Sequence, residues 1–93
     1  MHYVYLLRSK SHPMQPYVGL IRDLRQRLRD HNEGRSQHTA KFRPWILIAY
    51  FAFPSEKTAI AFEKYLKSGS GRAFIKRHFP PRGDIDTVEE IEN

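Results

Sequence analysis

Hydrophobic and polar positions follow three distinct rhythms along this chain. His2 to Leu7 alternates aromatic and β-branched residues, and Tyr17 to Ile21 repeats the habit over a shorter span. Period-two patterns of this composition predict strands. Between them, Ser9 to Pro16 carries serines, a histidine and two prolines, a loop composition that allows the two strands to form a hairpin. Trp45 to Phe53 reads Trp-Ile-Leu-Ile-Ala-Tyr-Phe-Ala-Phe, nearly continuous apolar sequence. A run of this kind predicts a strand buried on both faces, the central strand of a sheet. Helical spacing appears twice. Leu24, Leu28 and His31 share one face of a helix opened by Asp23 as N-cap, with Gln26 in capping-box position, and closed by Gly34. Ala59, Phe62, Glu63 and Leu66 form the stripe of a second helix, from Glu56 to about Lys67 behind Pro54-Ser55. Ser68-Gly69-Ser70-Gly71 breaks it, and a short third helix covers Arg72 to His78. Arg35 to Pro44 is a basic polar loop. The order β-β-α-β-α-α predicts an α+β fold, a small three-stranded antiparallel sheet flanked by helices.

Composition sharpens this picture in one respect. The 93 residues carry a net charge of +6, and it is unevenly placed. Through Phe79 there are 15 Lys and Arg against 5 acids, a balance of +10; from Pro80 on there is one Arg against 5 acids, a balance of −4. The chain therefore divides into a basic domain, 1–79, and an acidic tail, 80–93, whose composition predicts disorder. A basic body selects polyanions, nucleic acid ahead of an anionic membrane surface. Absence of cysteine excludes disulfides and thiolate metal sites and fits a cytoplasmic protein. The N-terminus lacks a secretory pattern, and no segment reaches the length of a membrane span. None of the five histidines has a spacing that suits zinc on a helix. Oligomeric state is not legible.

Several polar residues occupy positions where packing alone would place apolar ones. Arg27 and His31 share or border the face of Leu24 and Leu28; snorkelling at its edge is the plain explanation. Glu63 interrupts a buried stripe, where a carboxylate is costly unless paired or metal-bound. An ion pair with Lys64 or Lys67 is the plain explanation there. Tyr3, Tyr5 and Tyr17 lie on the two strands, where tyrosines commonly pack with the hydroxyl at the rim. Arg35, Lys41 and Arg43, near His38 and Phe42, suit phosphate contacts, or simply a solvated loop.

Read in order, these residues resemble the GIY-YIG nuclease superfamily, and small single-domain bacterial members in particular. Tyr3-Val4-Tyr5 resembles the first motif, with Tyr3 in place of its glycine, and Tyr17-Val18-Gly19 the second. The stretch from Asp23 to Asn32 is similar to the family's "DLxxRLxxHN" segment, which assigns Arg27 and His31 as motif residues. Ala61 to Lys67 is similar to the segment that carries the metal-binding glutamate, here Glu63. The asparagine that many members carry late in the domain has no placed counterpart. The resemblance implies an endonuclease that hydrolyses phosphodiesters in nucleic acid, DNA rather than RNA, with one Mg²⁺ or Mn²⁺ on Glu63. It implies that Tyr5 helps to deprotonate water, Arg27 stabilises the added negative charge, and Tyr17 and His31 position water or relay the proton. A binding module without catalysis, or a protein-interaction domain whose acidic tail docks on its basic face, are the competing readings.

Overall fold

The computed structural model describes residues 1–81; the acidic segment from residue 82 onward, and with it most of the expected tail, lies outside the described residues. Three strands, β1 (His2–Ser9), β2 (Pro16–Ile21) and β3 (Trp45–Phe53), and four helices, α1 (Leu24–Asn32), α2 (Gln37–Ala40), α3 (Glu56–Leu66) and α4 (Gly69–His78), make up the domain. Both strand pairings are antiparallel and the sheet order is β2-β1-β3. The expected α+β architecture is present, with the one-turn α2 added inside the Arg35–Pro44 segment.

The central strand is β1, not β3, which corrects the expectation drawn from apolar content. Every residue of β1 from Val4 to Ser9 is buried, whereas β3 buries only Trp45 and Leu47 and leaves Tyr50 52% exposed. The polar Arg8 and Ser9 disguise β1 in the sequence. They are buried because the fold supplies acceptors: Arg8 donates to the Pro13 and Phe79 carbonyls, and Ser9 Oγ donates to the Phe42 carbonyl at 2.6 Å. Such partners come from distant loops and leave no trace in the local pattern.

Side chains of β1 alternate between two cores. Val4 and Leu6 pack with Val18, Ala59, Leu66 and Ile75 beneath α3 and α4. Tyr5 and Leu7 pack on the other face with Leu24, Leu28, Trp45 and Leu47 beneath α1. The second core therefore contains the first motif's tyrosine as one of its largest members.

Helix ends follow local chemistry. Asp23 accepts from the Gln26 backbone N–H at 3.0 Å, as an N-cap should. The Gln26 side chain turns along the helix instead of back to the cap: its Oε1 accepts from Arg29 at 2.8 Å and its Nε2 donates to Asp30 at 2.8 Å. Ser55 caps α3 and Ser68 caps α4. The expected break falls at Lys67–Ser68, and Gly69, Ser70 and Gly71 belong to α4, which starts at Gly69. Gly71 is needed for close approach: a Cβ there would overlap the Tyr65 carbonyl and the Leu66 backbone at the end of α3.

Candidate active site

Tyr5 is the hub of a buried polar cluster on the α1 face of the sheet. Its hydroxyl lies 3.1 Å from Nε2 of His31, which comes from the last turn of α1. The Arg27 guanidinium, one turn earlier, interacts electrostatically with both Tyr5 and Tyr17. Tyr17 packs edge-on against His31, ring centroids 4.8 Å apart. Across the sheet Tyr5 pairs with Gly19, and its ring lies over that glycine, where a Cβ would overlap the hydroxyl end of the ring. The second motif's glycine is thus the seat of the first motif's tyrosine. Gly19→Ala should cost about 1–3 kcal/mol of stability through overpacking. It should also slow any chemistry that depends on Tyr5 by at least about tenfold, since misplacement of about 1 Å can cost more than that. Denaturant titration and turnover measured on the same sample check both.

His31 is completely buried, and its two ring nitrogens have different duties. Nδ1 is 2.8 Å from Thr39 Oγ1, and the Thr39 hydroxyl donates to the Ser36 carbonyl at 3.4 Å. With the proton on Nδ1, Thr39 accepts from Nδ1–H and Nε2 accepts from Tyr5 O–H; in the other tautomer Thr39 donates to Nδ1 and Nε2–H donates to the Tyr5 oxygen. Thr39 is in turn held by Trp45, whose Nε1 donates to its carbonyl at 3.0 Å. Burial foremost, and then the Arg27 charge, lower the His31 pKa from 6.5 to about 4, so the ring is neutral at pH 7.

This shift has a measurable consequence for stability. The unfolded chain protonates His31 near 6.5 and the folded one only near 4. The stabilisation from the neutral ring is therefore complete above 6.5 and is lost as pH falls towards 4. The loss should amount to about 3 kcal/mol. Urea unfolding at pH 7.5 and pH 4 should show it in the native protein, and His31→Gln should show a pH dependence smaller by that amount.

Tyr5 moves the opposite way. Burial raises its pKa from 10.0 to about 12; Arg27 lowers it, but not enough to offset burial, and the nearby charges of Tyr17 and Glu63 raise it further. Arg27 alone therefore does not bring the phenol into the physiological range. Tyr5 is a neutral phenol hydrogen-bonded to a neutral imidazole.

Glu63 sits on α3, at the margin of the cluster rather than deep in its stripe. Its side chain is 22% exposed, and Lys67 Nζ approaches Oε2 at 3.0 Å. The plain reading of Glu63 as an ion-paired stripe residue is thus realised, and its charge is also felt at Tyr5. No group of three or more metal-ligating His, Cys, Asp or Glu side chains occurs among the described residues. A single carboxylate of which Lys67 holds only one oxygen suits a hard cation that keeps most of its water. It does not suit zinc.

The three loop cations stand apart from this cluster. Arg35 is already engaged by Glu33 at 3.0 Å and Asp30 at 3.6 Å. Arg43 Nε donates to the Ala40 carbonyl at 2.8 Å, and Lys41 lies 5.2 Å from the centroid of the Phe42 ring. All three are exposed.

The family model described as the GIY-YIG catalytic domain matches residues 1–79. The chain belongs to the GIY-YIG family. Among similar GIY-YIG proteins, the structure-specific endonuclease subunit SLX1 of Debaryomyces hansenii is 41% identical over 71 residues, 69% of this chain and 20% of that protein. This chain spans about a fifth of the length of that relative. The UPF0213 protein BH0048 of Halalkalibacterium halodurans is 35% identical over 72 residues, 76% of this chain and 74% of that one. The solution structure of BH0048 superposes with a TM-score of 0.51 at 26% identity, covering 94% of this chain and 98% of the other. In this GIY-YIG domain the structure brings Tyr5, Tyr17, Arg27 and His31 into direct contact and leaves Glu63 at their edge. The residue that sequence reading missed is Thr39. It holds His31 Nδ1 from eight positions away, and nothing in the sequence marks it except its place in a polar loop.

Proposed function

We propose that this chain is an endonuclease that hydrolyses phosphodiester bonds in DNA with one divalent ion, Mg²⁺ or Mn²⁺. The observation that carries the reading is the buried chain from the Tyr5 hydroxyl to His31 Nε2, continued through Nδ1 to Thr39. A packing tyrosine needs no buried neutral histidine behind it. In a hydrolase this pair moves a proton: Tyr5 accepts one from the attacking water as it passes its own to His31. His31 is a weak base while Arg27 stands beside it. A bound phosphodiester would neutralise Arg27 and relieve that part of the depression, so the base strengthens when substrate arrives, while burial, the larger cause, persists. Arg27, beside the hydroxyls of Tyr5 and Tyr17, would offer its planar fork to the phosphoryl oxygens. Glu63 would hold the ion, which supplies charge stabilisation at the phosphate and the leaving oxygen. The name of the SLX1 relatives supports endonuclease activity, and the basic body supports a nucleic-acid substrate. Residues 1–79 form the nuclease domain in this reading, and exposed Lys41, with Arg35 and Arg43, supplements phosphate contacts. No helix of the described residues is long and apolar enough to cross a membrane.

The test is cleavage of supercoiled plasmid, branched DNA duplexes and an RNA transcript in Mg²⁺, Mn²⁺ and EDTA. Metal-dependent nicking of DNA is expected. Tight DNA binding with no cleavage in either metal would instead establish a binding module, the competing reading.

A further inference from the structure

Arg8 is an anomaly that the proposed reaction does not use. It lies on the central strand, is 8% exposed, and has no carboxylate partner among the described residues. Two guanidinium nitrogens donate to backbone carbonyls, while Nε is buried with no partner. A buried cation facing only neutral acceptors is costly, and burial lowers its pKa. The side chain lines a cavity of about 640 Å³ between the start of β2 and α4. Lys67, Arg72, Lys76, His38 and Gln15 line it too, and among the described residues no Asp or Glu does. Arg72 and Lys76 are four apart on one helix, a spacing at which like charges repel. Arg8, Lys67, Arg72 and Lys76 therefore concentrate four positive charges around one concavity.

Two residues connect this cavity to the catalytic cluster. Tyr17 lines it and also packs on His31. Lys67 lines it and also holds Glu63. The cavity thus borders the site but excludes Tyr5, Arg27, His31 and Glu63 themselves.

We propose that this cavity is a phosphate subsite, which grips an internucleotide phosphate of the strand being cut beside the scissile one. The inference rests on the nuclease reading and adds to it a second anion position. Anion binding there would compensate the buried Arg8 charge and relieve the Arg72–Lys76 repulsion. It would also fix the register of the strand relative to Tyr17, since phosphate contacts position while carrying no sequence information.

The experiment measures binding of the full chain to a 20-base-pair DNA duplex in EDTA, across a series of salt concentrations. Arg72→Gln/Lys76→Gln is compared with Lys57→Gln/Lys64→Gln, which removes the same charge from exposed positions on α3 that do not line the cavity. The cavity pair should weaken binding at least about tenfold more than the control pair. It should also reduce the slope of log K against log salt by about 1, the change that follows when one phosphate is no longer neutralised. Arg72→Lys/Lys76→Arg, which keeps the charge, should restore most of the affinity, and thermal melting of all variants excludes misfolding. Equal losses from the cavity and control pairs would overturn the proposal. Duplexes with 5′-hydroxyl and 5′-phosphoryl ends should bind alike. If the cavity pair loses affinity only for the phosphorylated end, the cavity takes a terminal monoester and the internal-phosphate assignment is wrong. Should the native protein bind and cleave DNA while the two pairs behave alike, only this subsite falls. Should it bind no nucleic acid at all, the nuclease reading falls with it.

Discussion

Glu63→Gln should reduce Mg²⁺- or Mn²⁺-dependent cleavage by at least about 1,000-fold, with duplex affinity nearly unchanged. The loss is large because a bound ion contributes several kcal/mol of charge stabilisation to phosphoryl chemistry, and no other cluster of metal ligands among the described residues could replace the carboxylate. The amide keeps the shape of the side chain, so packing beside Phe62 and Leu66 should persist. Stability should change little: the pair with Lys67 is partly exposed, and pairs of that kind contribute at most about 1 kcal/mol. Single-turnover rates, duplex affinity in EDTA and urea unfolding separate these outcomes. Cleavage above a tenth of the native rate would remove Glu63 from the metal site. A second readout avoids activity altogether: Mn²⁺ binding, followed by paramagnetic broadening of resonances near α3, should vanish in the variant.

Arg27→Ala should lower the cleavage rate by about 10²- to 10³-fold while affinity falls by less than threefold. A guanidinium aimed at developing charge acts mainly in the transition state, where removal of one such donor typically has an effect of this size. An equal fall in affinity would make Arg27 an ordinary phosphate contact. The electrostatics give an independent check. Arg27 lowers the pKa of both Tyr5 and His31. Its removal should therefore raise the His31 pKa above about 4, visible by NMR titration of the ring protons. A His31 titration that does not move would mean that burial alone holds the imidazole neutral.

Arg27, His31 and Glu63 stood out in the sequence because each broke a packing rule locally, whereas Tyr5 and Tyr17 were marked only by the motifs. Leu24, Leu28 and His31 fall on one face by spacing alone, and all three are buried. A histidine in such a place needs partners, and the aligned motifs named one of them, Tyr5. The partner of His31 Nδ1 was not legible. Thr39 reaches it only when α2 folds back onto α1, and the Thr39 hydroxyl in turn lies 3.4 Å from the Ser36 carbonyl. Nor was the Tyr5 pKa, because desolvation reflects how completely Trp45, Leu24 and Leu28 close over the ring, which spacing does not report. The fold class followed from the element order, but strand position did not. Apolar content identified β3 as a strand and then misplaced it at the centre. Burial of a strand depends on what covers it, and polar Arg8 and Ser9 were covered by loops.

The placement of β3 at the edge bears on how the protein behaves in concentrated solution. Trp45–Phe53 is nine residues without a charge, proline or glycine, and among the described residues one side of its backbone pairs with no strand. Segments of this composition template intermolecular strand addition. What opposes it is mutual repulsion between molecules of net charge +6. Colloidal stability should therefore fall as salt screens that charge, and again as pH approaches the isoelectric point near 9.9. A lysine at exposed Ala52, on the open stretch of the edge, would act as a gatekeeper against stacking and should extend the range of salt in which the protein stays dispersed.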